Sequence, residues 1–433
     1  MAPARLPTFP IVLAGFAAFL DLYATQPLLP LLARTFDASA FQVGLTVTAP
    51  VIAVALAAPI VGRLADRIGL RRTILTSAVL LTVTTALAAT AQSLPQLIFW
   101  RFMQGIVTPG VFASTIAYIH EVWPAARAGR GTASYMSGTV VGGFTGRAVA
   151  GVVAADATWH ESFIALAILN GLVAVALWRW LPESTFARAA PPRASADRRN
   201  HESRTRNHES TKPSTFAREA PHRASADRRN GIGLLRSLFT NRRLVATFGV
   251  GFCVLFTQVA MFTYVTFLLA APPYLLSTVA LGWLFIVYLV GAAVTPFSGA
   301  WVDRYGHRMG IASAMAIGAT GALLTLVPRL PAIVAGLALC ATGVFVAQAT
   351  TSGYIGAVTT RDRALAVGVY STFYYGGGST GGVLPALFWS RGGWPACVAL
   401  VVAVQAIGTV IAFTQWSGPA PASPEETEAL PPP

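Results

Sequence analysis

The chain has 433 residues, 54% hydrophobic and only 11% charged, with a mean hydropathy of +0.59; a soluble domain carries about 25% charged residues, so this balance excludes an ordinary cytosolic fold and points to lipid as the solvent. The formal charge of +14 would suit nucleic acid, yet all of the 31 Lys and Arg except Arg34, Arg101, Arg147, Arg329 and Arg391 fall in segments that face the cytoplasm if the N-terminus is inside. Cationic loops stay on the cytoplasmic side during insertion, so the asymmetry sets an orientation and removes nucleic acid as an expected partner.

Crossing a ~30 Å hydrocarbon core takes about 20 apolar residues as helix. Runs of spanning length occur at 10–32, 42–62, 73–92, 95–119, 132–154 and 160–181, and again at 245–270, 279–300, 309–327, 331–356, 364–388 and 394–415. The expected fold class is an all-α membrane protein of twelve transmembrane helices in two six-helix bundles, with both termini cytoplasmic. Its expected parts are an N-terminal bundle over 1–181, a basic linker over 182–243, a C-terminal bundle over 244–416 and a Pro-rich tail over 417–433. The first run contains Asp21 and lacks a small-residue cleavage site, so it reads as an uncleaved span. Cys253, Cys340 and Cys397 lie far apart inside apolar runs; reduced, packed thiols are expected, with no metal and no cofactor.

The linker holds 14 basic and 6 acidic residues and a tandem duplication. Residues 184–200 read STFARAAPPRASADRRN and residues 214–230 read STFAREAPHRASADRRN, an offset of 214 − 184 = 30. Copies so rich in Pro, Ser and Arg cannot bury a core, so a largely disordered segment is expected, with a short interfacial helix over 231–239.

A second repeat concerns the spans themselves. Gly62-x-x-x-Asp66-Arg67-x-Gly69-x-Arg71 follows the second span, and Gly299-x-x-x-Asp303-Arg304-x-Gly306-x-Arg308 follows the eighth, an offset of 299 − 62 = 237. Related halves of this kind are the sequence trace of alternating access. The two copies resemble the loop signature of the major facilitator superfamily, and with the six-plus-six spacing the resemblance covers nearly the whole chain. Arg101-x-x-Gln104-Gly105 is similar to that family's R-x-x-Q-G motif, and Pro182-Glu183-Ser184 closes the sixth span as in many members. Gly138-x-x-x-Gly142-Gly143-x-x-Gly146-Arg147 resembles the antiporter motif of the fifth span, with Gly143 in place of its proline and Arg147 in place of its last glycine. Together with Tyr23-Ala24-Thr25-Gln26-Pro27-Leu28-Leu29-Pro30, this form is similar to the bacterial YnfM-type branch.

The resemblance implies a monomeric, proton-coupled secondary transporter of the inner membrane that exports a small organic molecule. A symporter or facilitator for a sugar or organic anion is the alternative, and a transporter-like receptor the alternative of another class. No enzyme is expected. The loop residues, with Arg127 as a partner for Asp66, are expected to form a cytoplasmic gate. Asp21, Arg101 and Arg147 share one band of depth, where an ion costs roughly 2.5–3.5 kcal/mol and normally faces a cavity or pairs. Three readings stand together: Asp21 as a lock on an arginine, Asp21 as the proton site, or an arginine as the binding site of an anion. Polar candidates for substrate contact are Tyr23, Gln26, Gln104, Gln258, Tyr264, Tyr288, Gln348, Tyr370, Tyr374 and Tyr375. Gly138, Gly142, Gly143 and Gly146, and the run containing Gly377, Gly378 and Gly381, are expected at close helix crossings.

Overall fold

A computed structural model describes residues 7–183, 238–359 and 363–416. The helices are α1 (Thr8–Leu20), α2 (Leu29–Thr35), α3 (Ala40–Ile68), α4 (Leu70–Ala88), α5 (Leu94–Val122), α6 (Ala125–Asp156), α7 (Trp159–Trp180), α8 (Arg242–Ala270), α9 (Thr278–Leu284), α10 (Val287–Leu324), α11 (Leu330–Val358), α12 (Arg363–Val383) and α13 (Pro385–Gln415). Among the described residues, nine continuous helical stretches are long and apolar enough to cross a membrane. The stretch Thr278–Leu324 breaks at Gly306 and α13 breaks at Gly393, both at positive φ. With those breaks, the shorter α1 and the moderately apolar α12, the arrangement is consistent with the twelve expected crossings. The duplicated linker, most of the expected interfacial helix and the tail lie outside the described residues.

The first span departs from the straight helix expected over 10–32. Pro27 and Pro30 lack the N–H groups that would close on Tyr23 and Gln26, and their rings crowd those carbonyls. The chain answers with i→i+3 bonds, Ala24 N to Asp21 O and Gln26 N to Tyr23 O, and a 3₁₀ turn over Gln26–Leu28. Helix α1 therefore stops at Leu20, the carbonyl of Leu22 is left to other partners, and that of Asp21, bonded to Ala24 N, keeps a second lone pair free. Elsewhere the local signals are plain. Ser39 with Gln42 and Thr158 with Glu161 form capping boxes at the starts of α3 and α7.

The two loop motifs fold alike. Gly69 (φ 91°, ψ 145°) and Gly306 (φ 79°, ψ 164°) occupy the same motif position, in a region of φ that side chains avoid. At each, the chain leaves one helix and enters the next. A Cβ at Gly310 would meet Val302 Cγ2 at 2.7 Å, which only a reversal at Gly306 permits. Arg71, one of the residues expected at the gate, donates from Nε and Nη2 to Leu181 O and Trp178 O here and so caps the C-terminus of α7 within its own bundle.

Glycines set the crossings of α6 on α1 and of α12 on α8. A Cβ at Gly138, Gly142 or Gly146 would collide with the carbonyls of Val12, Phe16 or Leu20, and one at Gly377 or Gly381 with those of Phe252 or Phe256. The two zippers are counterparts, with 381 − 142 = 239 and 256 − 16 = 240. Gly378 faces Leu255 and Val51 instead, and Gly143 faces the Arg147 guanidinium. In place of a proline kink, α6 runs unbroken over its 32 residues.

Contacts between the halves gather toward one end. Thr48 bonds Ser379 O, Gln26 bonds Thr263, and Gly151 lies against Thr278 and Gly282. Toward the other end, which carries both motif loops, a Cβ at Gly62, Gly129, Gly299 or Gly368 would meet nothing within 4 Å. By the charge asymmetry the open end is the cytoplasmic one. Replacing Gly142 by Ala should cost about 1–3 kcal/mol through the crowded α1 backbone. Gly129→Ala should be neutral or stabilising. Thermal unfolding of the purified variants checks this, and equal midpoints would refute the zipper.

Candidate functional site

Three charged side chains are buried among the described residues, Asp21, Arg101 and Arg147. Arg101 stands on α5, and its guanidinium reaches the broken end of α1. Nη1 donates to Asp21 O at 2.9 Å, Nη2 to Leu22 O at 2.7 Å, and Nε to Thr46 O at 3.0 Å. The expectation that Asp21 neutralises an arginine through its carboxylate is therefore corrected. The cation binds the main chain that the proline-induced turn left open, and a half-helix C-terminus is a natural seat for positive charge.

The carboxyl has neutral neighbours. Asn170 Nδ2 on α7 donates to Asp21 Oδ2 at 2.6 Å; Thr85 Oγ1 on α4 lies 2.6 Å from the same oxygen and 2.7 Å from Leu81 O, so its single hydrogen serves one of the two. Gln104, one turn from Arg101 on the same face of α5, accepts from Arg101 Nη1 and donates to Thr85 Oγ1 at 2.9 Å. Donors thus run in one direction from Arg101 to Gln104 to Thr85, whose hydroxyl meets both Asp21 Oδ2 and Leu81 O. The motif's Gly105 is where α5 crosses Pro50 and Ala53 of α3 without room for a side chain. Neither Thr85 nor Asn170 stood among the sequence candidates. Threonine is common in spans and carries no signal, but a lone carboxamide in the apolar run 163–177 was a legible one.

Arg147 has no carboxylate partner among the described residues. Nε donates to Gln26 Oε1 at 2.8 Å and Nη1 to Gly143 O at 2.6 Å, while Nη2 makes no hydrogen bond among the described residues. Its carbon lies 4.6 Å from the Phe285 ring centre and 5.0 Å from those of Tyr23 and Tyr288. Gln26 passes the contact on to Thr263 of α8, so Arg147 sits where the two halves meet. Tyr374 and Tyr375 extend the aromatic wall toward Tyr370, and Phe112 links it to Tyr135. The hydroxyls of Tyr23 and Tyr135 are buried without a partner among the described residues, and that of Tyr370 faces Ser352.

Of the other candidates, Gln258 faces the Tyr288 hydroxyl. Tyr264 is committed to Gly382 O at 3.0 Å and seals the closed end, and Gln348 is half-buried on α11. At the open end Arg67, Arg127, Asp303 and Arg304 are exposed, Arg304 lies over the Tyr305 ring, and Arg308 is half-buried. The Asp66 side chain lies outside the described residues.

The sequence profile of the Major Facilitator Superfamily matches residues 11–286 and 255–432. The chain belongs to this superfamily. It is a multi-pass membrane transporter and not an enzyme. It is 27% identical over 394 residues to the MFS-type transporter YybF of Bacillus subtilis (strain 168), covering 91% of this chain and 89% of the relative. It is 26% identical over 404 residues to the inner membrane transport protein YnfM of Escherichia coli (strain K12), covering 93% and 89%. Among solved structures, its fold matches a bacterial homolog of the human lysosomal transporter Spinster in an inward-facing and occupied conformation. That match has a TM-score of 0.70 at 16% identity and covers 95% of this chain and 98% of that one.

The Arg101 geometry yields a stability prediction. An ammonium cannot reach three carbonyls at once, and each one orphaned costs about 1–3 kcal/mol. Arg101→Lys should therefore unfold at a clearly lower temperature than wild type in the absence of substrate. An unchanged midpoint would mean that the main-chain clamp contributes nothing.

Proposed function

We propose that this transporter is a monomeric, proton-coupled exporter of the inner membrane whose substrate is a small organic anion with an aromatic or apolar body. The observation that carries this reading is Arg147, a buried cation at the meeting of the halves with no carboxylate partner among the described residues. Arg101 is satisfied by carbonyl dipoles and Asp21 supplies at most one negative charge, so the cluster holds a net positive charge at membrane depth. Such a charge calls for a mobile counter-ion. Nη2 is free to bind it, and a guanidinium edge suits a carboxylate. Rings with centres 4.6–5.0 Å from the guanidinium carbon offer an apolar wall for the rest of the ligand.

Asp21 is the proposed proton site, because it is the one acidic side chain buried among the described residues and lies next to the hinge-like break of α1. Export is the direction to which the fifth-span motif points. The membrane potential agrees, since moving one negative charge outward gains about 2.3 kcal/mol per 100 mV. A symporter for an organic anion would use the same arginine; with one proton it moves no net charge and draws only on the pH gradient.

Purified protein in proteoliposomes, with imposed pH gradients of both signs and a panel of organic acids and their neutral amides, tests the reading. Arg147→Gln should lower transport of the acid by about 100-fold, the equivalent of roughly 3 kcal/mol, with Arg147→Lys partly active. Asp21→Asn should keep substrate exchange but lose accumulation driven by the proton gradient. A neutral substrate carried equally by wild type and Arg147→Gln would overturn the anion assignment, and undiminished coupling in Asp21→Asn would overturn the proton site.

A further inference from the structure

Two oxygens in the network around Asp21 are sealed and without a partner, Asp21 Oδ1 and Asn170 Oδ1. They belong to the same pair of side chains, because Asn170 Nδ2 donates to the other carboxyl oxygen, Oδ2, against which the Thr85 hydroxyl, also within reach of Leu81 O, lies as well. An ionised carboxylate spreads its charge over both oxygens. Placing both polar neighbours on one and none on the other leaves half of that charge unsolvated in a dry site. A carboxylic acid fits the asymmetry. Its carbonyl oxygen, Oδ2, takes the Asn170 donor, and its hydroxyl oxygen, Oδ1, has one hydrogen to give. The acceptor still vacant on the paired side chain is the carboxamide oxygen of Asn170.

We infer that Asn170 is a positioning residue that closes an acid–amide ring with protonated Asp21 and opens it when the proton leaves. This rests on the proposal that Asp21 is the proton site. A proton taken from solvent forms the O–H bond at Oδ1, and its hydrogen is donated to Asn170 Oδ1 while Nδ2 keeps its bond to Oδ2. When that O–H bond breaks, the proton returns to solvent and the electron pair stays on Oδ1, which then faces a second acceptor. Two facing acceptors repel, so the carboxamide must turn or α7 must part from the tip of α1.

The other groups around Asp21 suit a switch at this one contact. From α5, Arg101 holds the main-chain carbonyl of Asp21 and Gln104 holds Thr85; from α4, the neutral Thr85 hydroxyl lies against Oδ2. From α6, Arg147 is committed to Gln26 and the Tyr23 ring. Each of these contacts is compatible with either protonation state, whereas the vacant carboxamide oxygen gains a donor only from the acid.

Infrared difference spectra of the full-length protein in proteoliposomes, recorded through a pH titration, test the inference. The protonated carboxyl stretch of Asp21 is assigned by its loss in Asp21→Asn, and the carboxamide stretch of Asn170 by its loss in Asn170→Leu. The expected result is that both bands change at the same pH. A carboxamide band that stays fixed while Asp21 titrates overturns the inference. In transport, Asn170→Leu should move the midpoint of the pH profile by about one unit at unchanged KM, and Asn170→Gln should move it back. A profile unmoved in Asn170→Leu also overturns it. The absence of any titrating Asp21 band is a separate result, which removes the proton site itself.

Discussion

An ion held at membrane depth must be solvated by the protein, because lipid offers no dipoles. The three buried ionisable groups here meet that demand in three ways. Arg101 uses main-chain carbonyls where a helix stops early, Arg147 uses aromatic rings, an amide and a carbonyl, and Asp21, with polar neighbours on one carboxyl oxygen alone, is suited to the neutral acid. The first arrangement makes the last possible. If Arg101 met the Asp21 carboxylate head-on, the pair would be locked as an ion pair. By holding the main chain instead, it fixes the position of Asp21 and leaves the carboxyl free to change its charge.

The break in α1 is therefore central to the site. Two prolines remove ladder bonds, the turn tightens, and the freed carbonyl of Leu22 becomes a cation ligand. The same turn places Tyr23 and Gln26 against Arg147 and, through Gln26, against α8 of the other half. A movement of this short segment is thus felt at the carboxyl, at the free arginine edge and at the seam between halves. The rest of the scaffold is stiff where it needs to be. The paired glycine zippers of α6 on α1 and α12 on α8 bring backbones into contact, so each pair moves as one body.

The halves touch toward the end remote from the motif loops and stand apart near them, and the paired zippers and paired positive-φ glycines give both halves the same internal frame. Two like bodies hinged at one end can exchange which end is open with little internal rearrangement. The superfamily membership and this geometry agree on how the chain works, while Arg147 with its aromatic surround is what gives this chain a chemistry of its own.

The all-helical membrane fold, the related halves and the family were legible in the amino-acid sequence, because hydropathy and local motifs act through neighbours along the chain. The same holds for the identity of the three buried ions, since a charged letter inside an apolar run is conspicuous. Their partners were not legible. Nothing in the letters says that Arg101 would bind carbonyls instead of a carboxylate, that Arg71 would cap α7, or that Asn170 and Thr85 would converge on one oxygen of Asp21 from positions 149 and 64 residues away. Those outcomes depend on which helix faces meet, and in lipid that is decided by close packing of small residues on both partners at once, a property that exists only after the helices have come together.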